Sequence, residues 1–128
     1  METPQENKKM IWTGRIISFL LGPFFGMSAV MKLLQHPKVL EGVTHMGLPA
    51  NLIVPLGILE LACILIYLLP PTAVFGAVLL TGYMGGAILT HLRIGEPVIT
   101  HIGIGILIWL GIWLRFPHLR QLLPVVRR

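Results

Sequence analysis

The chain alternates between long apolar runs and short polar connections. Four runs stand out, at residues 11–34, 49–69, 72–92 and 98–115. Each has roughly the 20 residues that a helix rising 1.5 Å per residue needs to cross the hydrocarbon core of a bilayer. In hydrocarbon every backbone N–H and C=O must be satisfied within the protein, which leaves helices or a closed barrel. Barrel strands alternate apolar and polar positions, whereas these runs are continuous. The pattern predicts an all-α integral membrane four-helix bundle, a single domain over residues 1–128. Residues 1–10 read as a polar tail and 35–48 as the longest loop. Pro70-Pro71 reads as a very tight turn, 93–97 as a short connection, and 116–128 as a basic tail along the membrane surface. The first run exceeds the apolar part of a signal peptide and no A-x-A-like site follows it, so it reads as a retained span.

Small and polar positions recur at helical spacing within the runs, and in a bilayer such stripes mark the faces where helices meet. In span one the stripe is Arg15, Ser18, Gly22, Gly26, Ala29, Lys32 and His36, with a kink expected at Pro23. In span two it is Ile53, Gly57, Glu60, Ile64 and Tyr67. Span three offers Gly76, Tyr83, Ala87 and Thr90, with Gly82, Gly85 and Gly86 beside them. Span four offers His101, Gly105, Ile108, Ile112 and Arg115. Gly22, Gly26, Gly57, Gly85 and Gly86 are the expected helix-packing positions.

Composition sharpens this picture. Charged residues make up 12% of the chain and hydrophobic residues 55%. Soluble domains carry about twice that charge, so a soluble enzyme is excluded. The net charge of +5 sits beside apolar runs, which makes it membrane-flanking charge rather than a nucleic-acid surface. Lys8, Lys9, Arg15, Arg115, Arg120, Arg127 and Arg128 fall on one side, and Lys32, Lys38 and Arg93 on the other. The positive-inside rule then predicts both termini in the cytoplasm. All five acids are Glu, and Cys63 is the single cysteine. Asp-based catalysis and dithiol chemistry are thereby excluded, and Cys63 reads as a small buried hydrophobe.

Glu60 is the informative residue, because it lies about eleven residues into span two and an intramembrane acid is costly. It should face the bundle and hold a partner, either as a structural lock or as a contact for a ligand. Tyr83 lies at a similar depth, so a Tyr83–Glu60 hydrogen bond is expected. Lys32 shares the bundle-facing stripe. By depth the two backbones differ by about two helical turns, so a direct Lys32–Glu60 pair requires a shifted or tilted helix; the alternative is snorkelling to the interface. Four of the five histidines, His36, His45, His91 and His101, fall on the outer side, where with Glu41, Glu96, Lys32 and Arg93 they line one polar mouth. Their spacing matches no metal or haem motif, and no metal is assigned.

The runs MSAVMKLLQHP, LGILELACILIYLLPPT, TGYMGGAILTHLRIGEP and WLRFPHLRQLLP, in that order, resemble the DoxX-like family of small bacterial membrane proteins. The resemblance spans roughly residues 12–124 and is most specific at ILELA and GGAILTHLR. It implies four transmembrane helices in the cytoplasmic (inner) membrane. Relatives in the broader group are subunits of quinone-reducing oxidoreductases or associate with redox-defence proteins, and the resemblance assigns no reaction. By motif match, Lys32, Glu60, Gly85, Gly86, His91 and Arg93 stand at positions typical of the family.

Two functional classes follow. In the first, the chain is redox-linked and contacts a quinone or another lipophilic small molecule. Glu60 and Tyr83 form the pocket floor and Lys32, His91 and Arg93 its mouth, since a quinone needs an apolar slot, a hydrogen-bond donor and a proton route. No cofactor is evident beyond that quinone, and electrons come from a redox partner protein or a substrate. In the second, the chain is a non-catalytic accessory or scaffold subunit, or a small oligomeric transporter. The partners expected are the lipid bilayer, a membrane or redox protein and a second copy of the chain, with no nucleic acid.

Overall fold

The computed structural model describes residues 4–126, with side chains from Lys8 onward. Among the described residues every regular element is helical: α1 (Pro4–Leu33), α2 (Pro37–His45), α3 (Ile53–Leu68), α4 (Ala73–Arg93), α5 (Ile99–Arg115) and α6 (Pro117–Arg120). Short 3₁₀ turns occupy Ala50–Leu52 and Pro70–Thr72. Three stretches are long and apolar enough to cross a membrane, Lys8–Leu33, Ala50–Leu68 and Pro70–Arg93. The apolar α5 is shorter, at 17 residues.

Two connections differ from the sequence expectation. Residues from Pro4 onward are helical rather than a free polar tail, because Gln, Glu, Lys and Met are strong helix formers that extend the apolar run backwards. The expected loop 35–48 contains α2. His36 turns the chain into it: its Nδ1 accepts from the Lys38 N–H at 3.2 Å, and Pro37 occupies the first helical position. The C-terminal segment, expected as a basic tail along the membrane surface, is tied back to the helices. The Trp113 indole donates to the Leu123 carbonyl at 3.0 Å, and the Arg120 guanidinium reaches Met10 Sδ at 2.8 Å.

The helices α1, α2 and α4 end alike. In α1 the His36 N–H donates to Met31 O and the Gln35 N–H to Lys32 O, the paired bonds of a Schellman cap. The caps of α2 and α4 place Gly47 and Gly95 in the left-handed position, both at φ +79°, but α1 places Gln35 there at φ 55°. A side chain in that conformation costs about 1–2 kcal/mol. Gln35→Gly is therefore expected to raise the unfolding free energy by about 1 kcal/mol, measured by denaturant titration in detergent micelles.

The four longer helices form a ring in which α1 and α4 each pack against α3 and α5. The core comprises Leu21, Phe25, Cys63, Ile64, Tyr67, Ala77, Leu80, Met84, Ile108 and Ile112, among others. The reverse faces carry exposed Phe19, Leu20, Met27, Leu65, Phe75, Leu89 and Ile106, a load of apolar surface that suits lipid and not water. Only 28–33% of the three spanning windows is buried. The chain is a membrane protein.

The stripe expected on α3 is buried throughout. On α1 the buried line runs Gly14, Ser18, Leu21, Phe25 and Ala29 instead, with Arg15 and His36 exposed. Large Leu21 and Phe25 side chains fill the centre, so the helix presents the neighbouring positions. The close approaches likewise differ. A Cβ at Gly14 would meet Gly111 O and Arg115 N at 2.6 Å, one at Gly111 would meet the Tyr67 hydroxyl at 2.6 Å, and one at Gly76 would collide with the Tyr67 backbone. Of the expected packing glycines, Gly57 sits against α1 and Gly22 against Leu68. Gly26, Gly85 and Gly86 have no atom of the described residues within 4 Å of such a Cβ, so no neighbouring helix of the ring approaches them that closely.

Candidate functional site

Between the ring's centre and the end that carries α2 lies a polar cluster. Glu60, on α3, is 1% exposed. Its Oε2 accepts from Lys32 Nζ of α1 at 2.7 Å and from the Tyr83 hydroxyl of α4 at 2.6 Å. Lys32 Nζ also donates to Ser28 Oγ at 2.8 Å, one turn back on α1.

The direct ion pair arises because counting depth from span ends placed the residues wrongly. The α3 helix begins only at Ile53, after the 3₁₀ turn, so Glu60 lies about two turns from its start. Gly57 then lets α1 come close: a Cβ there would sit 2.9 Å from Lys32 Cβ and 3.0 Å from Ala29 O. Lys32 starts level with Gly57, three residues or about 4.5 Å from the level of Glu60, and its side chain spans that gap. The lysine thus reaches inward instead of snorkelling.

The cluster forms the polar end of a cavity of about 670 Å³. Phe24, Phe25, Leu52, Leu56, Leu59, Leu79, Met84 and Ile104 supply its apolar wall, and Val43 and Met46 reach it from the α2 segment. His91 and His101 line it toward the α2 end, with ring centroids 4.3 Å apart. His91 Nδ1 lies 2.7 Å from Ala87 O; a carbonyl only accepts, so this nitrogen carries a hydrogen. His101 Nδ1 is buried without a hydrogen-bond partner among the described residues.

Of the five candidate ligand-contacting residues, Glu60, Tyr83, Lys32 and His91 line the cavity together. Arg93 does not. Its guanidinium donates to the Met46 carbonyl and ties the end of α4 to the chain leaving α2. Nearby, Glu96 lies 3.3 Å from His45 Nε2 and 3.7 Å from His91 Nε2, so acid and histidines do gather at this end. Sequence reasoning missed Ser28, although its i, i+4 spacing to Lys32 offered a signal. It also missed Val43 and Met46, which a loop assignment hid. Among the described residues no group of three or more His, Cys, Asp or Glu could hold a metal ion.

The model of the DoxX-like family matches residues 16–114. The chain belongs to the DoxX-like family. That match covers α2, α3, α4, all but the last residue of α5 and the part of α1 from residue 16 onward, and with them the Lys32–Glu60–Tyr83 cluster. No curated protein and no solved structure matches the chain. In this DoxX-like protein the cluster can do two things chemically. It pairs a buried carboxylate with a lysine and adds a hydrogen bond from a phenol, and it presents polar atoms at one end of an apolar cavity.

Proposed function

We propose that this DoxX-like protein binds a lipophilic small molecule of the quinone class inside its helical ring, with the polar head at Lys32, Glu60 and Tyr83. The observation that carries the reading is the open cavity beside a 1%-exposed glutamate. A purely structural lock would be surrounded by packed side chains, because a void forfeits dispersion contacts. Here about 670 Å³ is left beside it, within the range of ligand sites, and apolar walls with few convergent polar groups are the mark of such sites. In this reading the ligand is the redox-active component and exchanges electrons with a partner protein. The chain crosses the bacterial inner membrane four times, with α5 as the fourth span. The excess of Lys and Arg at the termini holds those in the cytoplasm, and the α2 end faces outward.

The test is equilibrium binding of a decyl-substituted benzoquinone to the full chain in lipid nanodiscs, read by tryptophan quenching. The unaltered chain is expected to bind. Ala87→Trp fills the cavity between Tyr83 and His91 and should weaken binding by tenfold or more, an effect of about 1.4 kcal/mol, at unchanged thermal stability. Absence of binding, or equal binding by Ala87→Trp, would overturn the reading.

A second reading, an accessory subunit, draws on the apolar groove between α4 and α5. It exposes Gly85 and Gly105 and is closed at one end by Leu123 and Pro124. Loss of a co-purifying membrane protein on Gly105→Leu, with quinone binding absent from the unaltered chain, would favour it.

A further inference from the structure

The polar end of the cavity is asymmetric in its hydrogen bonding. Lys32 and Tyr83 both donate to the same glutamate oxygen, Oε2. The other oxygen, Oε1, takes no hydrogen bond from any described residue. It is nevertheless not among the buried polar atoms sealed off without a partner, so it keeps accessible surface, and the space that Glu60 lines is the cavity. A carboxylate oxygen that faces an apolar cavity with an empty acceptor position is costly, and a donor that fills it recovers that cost.

The remaining polar atoms point the same way. The single hydroxyl hydrogen of Tyr83 is spent on Glu60, which leaves its oxygen an acceptor. Lys32 has one N–H left after Ser28 and Glu60. The Lys32 side chain is 16% exposed but that of Glu60 only 2%. Water can therefore serve the spare N–H, whereas Oε1 depends on whatever occupies the cavity.

We infer that the cavity selects ligands whose polar head donates a hydrogen bond, a phenol or the hydroquinone form of a quinone, over heads that only accept. A phenolic O–H donates to Glu60 Oε1, and its oxygen accepts the spare Lys32 N–H. A quinone carbonyl or an aryl ether can use only the second contact and sets an electron-rich oxygen against the carboxylate. The inference rests on the reading that the cavity holds a lipophilic ligand, and goes beyond it by naming the chemical form.

The experiment compares para-decylphenol, its methyl ether and the decyl-benzoquinone on the full chain in neutral-lipid nanodiscs. The phenol is expected to bind about tenfold tighter than either acceptor-only ligand. Glu60→Gln, which keeps the shape and removes the charge, should narrow that preference to about threefold or less. Ether or quinone binding as tight as phenol binding would overturn the inference and leave the lipophilic cavity standing. Binding of none of the three would overturn both. The ligand series on the unaltered chain decides the matter even where Glu60→Gln does not fold.

Discussion

Lys32→Met is expected to destabilise the protein by about 3–5 kcal/mol, measured by unfolding in mixed micelles. The reason is that the substitution leaves a carboxylate with 2% side-chain exposure facing an apolar neighbour. Removing the acid as well should reverse most of this loss. In Lys32→Met/Glu60→Leu no buried charge remains, and replacing a buried pair by apolar residues of similar volume is commonly neutral or stabilising. The two single losses are thus strongly non-additive. Under the proposed function the double variant folds yet fails to bind the decyl-benzoquinone or the phenol. A single Lys32→Met as stable as the unaltered chain would show that the 2.7 Å ion pair does not hold the bundle together.

The second large effect is expected at Gly76. An added methyl group there meets the backbone of Tyr67, not a movable side-chain tip. The two helices leave the Pro70-Pro71 turn in close contact, and separating them also pulls on Tyr67. That residue is fully buried and donates to Ile108 O at 2.6 Å. Gly76→Ala should cost about 2–3 kcal/mol, the upper part of the range for overpacking. Gly85→Ala, with nothing within 4 Å of the new methyl, should change stability by no more than about 0.5 kcal/mol. Similar losses at both positions would overturn the assignment of Gly76 as the point of closest approach.

These two positions show where sequence reasoning reached its limit. Gly76, Gly85 and Gly86 are equivalent as letters in a run. Only the backbone path separates a glycine under a neighbouring helix from one facing open space. The same holds on α1, where Gly22 and Gly26 outlined a stripe but bulky Leu21 and Phe25 took the inner face. On α3 the stripe was legible, because Glu60 and Tyr67 carry polar atoms that must turn away from lipid. Arg93 illustrates a different limit. Its place at the end of span three was readable, but its carbonyl partner at Met46 caps a helix hidden in an assumed loop.

The sequence by itself determined that this chain is a helical membrane protein, since hydrocarbon admits unbroken apolar runs of this length only as helices, and its motifs carried the resemblance to the DoxX-like family that the family match shows. It also determined that Glu60 needs a partner, since an acid among so few charges cannot stay alone in lipid. The tertiary structure decided that the partners are Lys32 and Tyr83 together, and that one carboxylate oxygen beside a cavity takes no hydrogen bond from a described residue. Depth along a helix follows from counting residues. The distance between side chains on two helices depends on where those helices touch, and at Gly57 that contact brought Lys32 to Glu60.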